Sequence, residues 1–233
     1  MLLRIRIRLP DRPGSLGRVA RTLGAAGADV VQMAVLERDN GRAMDDFTVA
    51  WPAGGGIDRL SEGLGSVPGV EVVGVWPTVE PQGAFPDAAV IGQVAAVPER
   101  GEEILADAVP AILSAGWAGL AELTAGGGAV LVHASVGGGP GAGDVSEGVA
   151  GRPPAVGSTD ADLPELLPLR PRAFTAPDGT QFAVCPLAKG TLALLVARTG
   201  APPFHRTEVF RLEQLAGAAD AVLTGDRSGR SPV

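Results

Sequence analysis

The densest chemistry in the chain is the run Asp11-Arg12-Pro13-Gly14-Ser15-Leu16. It joins an alternating apolar stretch to one with helical spacing. Pro13 presets its own φ and Gly14 has no Cβ, so the run predicts a tight strand-to-helix turn. The amides at a helix start carry partial positive charge and suit a carboxylate or another anion. Gly14 would let a small ligand approach the backbone. The run by itself therefore suits a carboxylate or a small ligand at the backbone. A residue just before a helix also commonly caps it, so Asp11 has a cap reading beside the ligand reading.

Other reactive residues are few. The chain has two histidines, His133 and His205, and one cysteine, Cys185. No His-x-x-x-His or Cys-x-x-Cys spacing offers a metal site, and no Gly-x-Ser-x-Gly offers a hydrolase elbow. His133 and Cys185 both sit in apolar runs, where a core role is the default. They would form a nucleophile pair only if folding joined them. Gly137-Gly138-Gly139-Pro140-Gly141 lacks the Gly-Lys-Ser/Thr of a phosphate loop, so it reads as part of a long loop from Val136 to about Asp160. No catalytic residue, metal or cofactor is assigned.

The elements that must position the first site follow from periodicity. Leu3, Ile5, Ile7 and Leu9 alternate with Arg4, Arg6 and Arg8, the period of a strand with one buried face. Leu16, Val19, Ala20 and Leu23 form a helical stripe. Asp29 to Arg38 and Ala43 to Trp51 read as strands joined by an Asn40-Gly41 hairpin turn. Ile57, Leu60, Leu64 and Val67 repeat the helical stripe, Pro68-Gly69 ends it, and Val70 to Trp76 is a further strand. The order β-α-β-β-α-β predicts a ferredoxin-like unit. Its expected core is Leu3, Ile5, Ile7, Leu16, Val19, Leu23, Phe47, Val49, Ile57, Leu60 and Leu64. Asp46 and Thr48 have the parity opposite to Phe47 and Val49, so Asp46 would face the arginine row. That face reads either as an anion- or partner-docking surface or, as the more ordinary case, as a solvated face with a weak ion pair.

Pro77 to Pro86 predicts a linker. Beyond it, Phe85 to Val97 and Glu99 to Ala115 read as helices, with Pro110 expected to kink or break the second. Trp117 to Leu123 and Ala129 to Ser135 read as strands. So do Phe174-Thr175, Phe182 to Leu187 and Thr191 to Arg198. Glu208 to Leu223 is a closing amphipathic helix, and Gly225 to Val233 a flexible tail. The expected division is 1–78 sensing domain, 79–86 linker, 87–224 second domain and 225–233 tail.

At 233 residues and net charge −7, the chain has room for two domains and lacks the basic surface of a nucleic-acid binder. A single cysteine fits a reducing cytoplasm, and no apolar run is long enough to span a bilayer. Met1 to Arg6 alternates charge too soon for a secretory signal.

Residues 2 to 77 resemble an ACT domain, through Asp11-Arg12-Pro13-Gly14-x-Leu16, Gly27-Ala28-Asp29-Val30 and the Asn40-Gly41 hairpin. The resemblance implies an amino acid bound between paired domains, at Asp11 to Leu16 in the first loop and at Asp29-Val30 where the second strand starts. Its carboxylate would meet the amides near Gly14 to Leu16, and its ammonium would meet Asp29 or Asp11. Serine-binding members carry His and Asn where this chain has Leu9 and Asp11, and Asn where it has Asp29. Leu9 offers no hydrogen bond, and ionised aspartates accept but do not donate. The departures therefore favour an ammonium contact and disfavour serine. Residues 86 to 224 resemble a GAF domain, another small-molecule or dimerisation module. The features are Cys185-Pro186-Leu187, Gly190-Thr191-Leu192-Ala193-Leu194-Leu195-Val196 and Phe204-His205-Arg206-Thr207-Glu208.

The sequence therefore predicts an α+β chain, with a ferredoxin-like ACT unit followed by a GAF-like domain built on an antiparallel sheet. Its expected function is regulatory and non-catalytic. It would sense an amino acid or similar ligand and signal as a homodimer or by contact with a partner, without nucleic acid or membrane. The alternatives are an enzyme in the C-terminal half under feedback control and an assembly module without ligand.

Overall fold

A computed structural model describes residues 1–52, 56–79, 85–136, 153–159 and 163–229. The chain divides into two compact units: Met1–Glu80 with Gly200–Pro202, and Pro81–Thr199 with Pro203–Val233. Most of the expected linker and the glycine run at 137–141 lie outside the described residues.

The first unit runs β1 (Leu2–Pro10), α1 (Ser15–Ala25), β2 (Asp29–Asp39), β3 (Arg42–Ala50), α2 (Ile57–Gly65) and β4 (Glu71–Thr78). Its antiparallel sheet has the order β2-β3-β1-β4. Asn40 and Gly41 both take positive φ in the β2–β3 turn, as the Asn-Gly pair predicts. Leu3, Ile5, Ile7 and Leu9 of β1 pack with Val19, Leu23, Leu60 and Leu64 of the helices and with Phe47 and Val49 of β3. Two expected core residues differ. Leu16 is 39% exposed and Ile57 38% exposed. The buried stripe of α1 is Ser15, Val19 and Leu23, successive positions four apart. Leu16 is one residue, about 100° of helix rotation, off that line. Ile57 opens α2, ahead of the turn that Leu60 and Leu64 bury.

Around Arg6 and Asp46 the arginine-bearing side of the sheet is not a solvated face, while Arg8 at its end keeps a partly exposed pair with Glu71. Arg6 and Asp46 are only 2% and 1% exposed. The Nε of Arg6 donates to Asp46 Oδ1 at 2.7 Å and its Nη2 to Oδ2 at 2.9 Å. Arg4 Nε adds a bond to Oδ2 at 3.2 Å. The Trp76 ring lies 5.5 Å from the Arg6 guanidinium. Such a bidentate pair, removed from water, is held by directed charge-assisted bonds. Removing one partner leaves the other charge buried and alone.

The second unit contains α3 (Pro86–Ala96), α4 (Gly101–Leu113), β5 (Trp117–Leu123), β6 (Ala129–Val136), β7 (Arg172–Thr175), β8 (Gln181–Leu187), β9 (Leu192–Arg198) and α5 (Arg206–Gly229). The five-stranded antiparallel sheet has the order β6-β5-β9-β8-β7. One face packs Leu120, Cys185, Leu194 and Val196 against Val94, Leu105, Leu212 and Ala216 of the helices. The other packs Trp117, Phe182, Val184 and Leu195 with Leu163 and Leu166. Arg198 fixes the start of α5. It donates to both oxygens of Glu208, at 2.9 and 3.1 Å, and to Pro203 O at 3.0 Å, with its guanidinium 3.9 Å from the Phe204 ring centre.

Three expectations about this half change. Pro110 does not break its helix, which continues to Leu113. In the last turn a missing N–H costs a single hydrogen bond, and Pro110 is itself buried. Residues 225–229, read as tail, continue α5. Part of the expected long loop returns to the sheet: Leu131 N donates to Ser158 O, and Gly157 N to Leu131 O.

Asp46→Ala is expected to lower stability by about 3–5 kcal/mol, the usual cost of orphaning a buried charge. Urea unfolding followed by circular dichroism measures it. A change below 1 kcal/mol would mark the pair as a surface contact.

Candidate functional site

The turn after β1 is built as its residues require. Gly14 is the N-terminal cap residue of α1 and sits at φ 85°. A Cβ added there meets nothing within 4 Å. Glycine is therefore demanded by positive φ, not by close approach of another group. No side chain caps α1, and no acidic residue stands in its first turn. The cap reading of Asp11 is overturned. Its carboxylate is taken by Arg38, whose Nη2 donates to Oδ1 at 2.6 Å and Nε to Oδ2 at 3.0 Å. These bonds hold the Asp11 carboxyl below its ordinary range. The turn is tied to the β2–β3 hairpin by Asp11 N donating to Gly41 O at 2.8 Å.

The other residues of the run divide by exposure. Arg12, Pro13, Gly14 and Leu16 are exposed. Ser15 is buried, and its Oγ accepts from Arg18 Nη2 at 3.3 Å. Asp29 and Val30 are exposed at the opposite end of β2, in register with Ala50 and Val49. Arg38, which holds Asp11, pairs with Ala43 at the hairpin end. Nine residue steps along the strand separate Asp29 from Arg38, roughly 25–30 Å. Within one chain the fold does not bring Asp29-Val30 to the Asp11–Leu16 turn.

Close to that turn lies a residue the motif reading passed over. Asp45 stands opposite Ile7 on β1 and Val35 on β2. It is 2% exposed, and its Oδ1 has no hydrogen-bond partner. Burial pushes its carboxyl up, the charges of Asp11 and Asp46 add to that rise, and Arg38 opposes it. The signal was present in the strand parity, since Asp45 shares the phase of Phe47 and Val49.

The reactive residues of the second unit do not converge. His133 pairs with Leu120, Leu120 with Leu194, and Leu194 with Cys185. Three strand spacings, about 14 Å, therefore separate His133 from Cys185. His133 Nε2 lies 2.8 Å from Asp107 Oδ1. Burial, reinforced by Glu213 and Asp220, pushes the Cys185 thiol up to about 12. It is not a thiolate at neutral pH. Among the described residues no cluster of three His, Cys, Asp or Glu side chains could hold a metal. No helix among them is long and apolar enough to cross a membrane.

The site-bearing unit is thus a four-stranded antiparallel sheet with two helices on one face, its first turn tied to the hairpin at one end. Residues 3–50, which cover β1 through β3, match the family model of the ACT domain, so the first unit carries an ACT domain. No curated protein matches the sequence. Among solved structures, the chain is similar to the phycoerythrobilin-bound GAF domain of a cyanobacterial phytochrome. The identity is 11% and the TM-score 0.43, over 64% of this chain and all (100%) of that one. The GAF domain of an Acinetobacter phosphoenolpyruvate-protein phosphotransferase matches at 10% identity and TM-score 0.39, over 65% and 100% of the two chains. A formyltetrahydrofolate deformylase from Pseudomonas putida KT2440 matches at 14% identity and TM-score 0.27, over 43% of this chain and 40% of its own.

Three outcomes check this geometry. Gly14→Ala should cost about 1–2 kcal/mol of stability from left-handed strain alone, read by thermal unfolding. Cys185 should resist a thiol reagent in the native protein and react fully once it is unfolded. Asp45→Asn should raise Tm at pH 7. A carboxyl raised by folding holds its extra proton in the native state, so its penalty grows as pH climbs above the ordinary value of 3.8. Below that value both states are protonated, and the gain from Asn should vanish. A gain that persists at pH 3 would point to a different cause.

Proposed function

We propose that this chain is a non-catalytic regulatory protein. Its first domain, residues 1–78, senses an amino acid or similar zwitterion and signals by self-association or contact with a partner. The second domain spans 87–224. The observation that carries the reading is the end of the sheet at Asp11. An uncapped helix start, suited to a carboxylate, stands beside two aspartates and one arginine. The ACT match over residues 3–50 supports it, ACT domains being small-molecule-sensing regulatory domains.

The β2 edge supports self-association. Val30, Val31, Met33 and Val35 are exposed along this outer strand. An edge of that length with apolar side chains is a template for a second strand. Two copies joined antiparallel near the middle of β2 would carry one copy's Asp29 to the Asp11–Arg38 end of the other. The two halves of the sequence motif, which one chain keeps apart, would then serve one ligand. Ligand binding shifts such an assembly by its differential affinity for the two states.

A thermal-shift screen against the twenty amino acids tests the reading. A ligand at a hundred times its Kd stabilises by about 2.7 kcal/mol. At least one amino acid should raise Tm, and light scattering at high micromolar concentration should give a dimer. If no amino acid binds at millimolar concentration while the dimer forms, the ligand-free assembly module takes its place.

A further inference from the structure

Asp45 is an anomaly in its own core. Its cross-strand neighbours are Ile7 and Val35, whose side chains carry no donor. One of its oxygens is sealed from solvent without a hydrogen bond. A lost bond at a buried polar atom costs about as much as several surface contacts contribute. Asn or an aliphatic residue would fill the same space at lower cost. Its surroundings identify what the oxygen lacks. The charges that act on it are Asp11 in the first turn, Arg38 on β2 and Asp46 beside it on β3. Asp46 is engaged by Arg6 and Arg4, and Arg38 is engaged by Asp11 in a two-bond fork. That leaves one unneutralised carboxyl beside a satisfied ion pair. A group that supplies N–H donors and one positive charge would complete the cluster.

We propose that Asp45 is the residue that binds the ammonium of the sensed ligand, with Asp11 as the second acceptor and the first amides of α1 receiving the ligand's carboxylate. The assignment rests on the amino-acid-sensing reading above and moves the cation contact from the motif residue Asp29 to β3. The ligand class it selects is a primary α-amino acid. A 2-hydroxy acid of the same shape presents an oxygen that cannot neutralise the carboxylate, and it should be rejected. The same residue then explains an apparent conflict: a group that weakens the free protein is kept because the bound state satisfies it.

The experiment is isothermal calorimetry on the full chain, wild type against Asp45→Asn and Asp29→Asn. The probes are the amino acids that shift Tm and the 2-hydroxy acid matching each. Wild type should bind the amino acid at least tenfold more tightly than its hydroxy analogue. Asp45→Asn should lose at least tenfold in affinity while being no less stable than wild type, and Asp29→Asn should lose less. Carbon-13 NMR of the wild-type aspartate carboxyls gives a second readout that does not depend on a variant. Saturating amino acid should lower the apparent pKa of the Asp45 carboxyl. If the amino acid binds wild type and Asp45→Asn equally and the Asp45 resonance does not move, the assignment is wrong while amino-acid sensing stands. If wild type binds no amino acid, both are overturned.

Discussion

Two adjacent aspartates in one strand cannot face the same way, and the N-terminal unit is arranged around that constraint. In β3, Asp46 points to the arginine side of the sheet and Asp45 to the helix side. Asp46 meets Arg6 and Arg4 across the β1–β3 register. Its charge is buried, and the cost of removing it from water is offset by the two-bond fork from Arg6 and by the third bond. The pair joins the two central strands of the sheet and fixes their phase, because a one-residue slip would turn both charges into the hydrophobic core. Once the phase is set, Asp45 has no choice. It must lie among Ile7, Val35 and the residues packed by α1 and α2.

Everything distinctive about the candidate site follows from that position. The β1–α1 turn is held against the hairpin by its bond to Gly41, so Asp11 and Arg38 meet at the same end of the sheet as Asp45. Gly14 starts α1 from a left-handed conformation and leaves the helix start without a side-chain cap. The region combines a fixed partial positive charge from the helix with a paired and an unpaired carboxyl. It therefore suits a ligand carrying both signs. The β2 edge, exposed and apolar, borders the same region.

The second unit solves a related problem with the opposite result. Arg198 is buried like Arg6, but its fork to Glu208 and its bond to the Pro203 carbonyl satisfy it within the unit. The two histidines and the cysteine are separately accounted for. His133 is beside Asp107, His205 Nδ1 is beside Thr207 Oγ1, and Cys185 is a buried thiol under α5. What this half offers is a packed scaffold with a long closing helix.

Element order and register class were legible in the residues. Period two in Leu3 to Leu9, the 3.6 period in α1 and α2, and the Asn-Gly hairpin each depend on neighbours within a few positions, so local sequence determines them. The facing of Asp46 toward the arginine row followed from parity as well. Burial of that face did not, because parity says which side a residue takes and not how thickly the side is covered. Leu16 and Ile57 failed for a related reason: a helical stripe is about 100° or more wide, and only packing decides which of its edges is covered. The site was half legible. The first turn could be read from Pro13 and Gly14. The capture of Asp11 by Arg38, the remoteness of Asp29 and the isolation of Asp45 could not, since each depends on which strands lie side by side and in what register. Sequence alone determined the elements and the chemistry available to them. Tertiary structure decided which charges found partners, because pairing is a matter of distance across strands far apart in the chain.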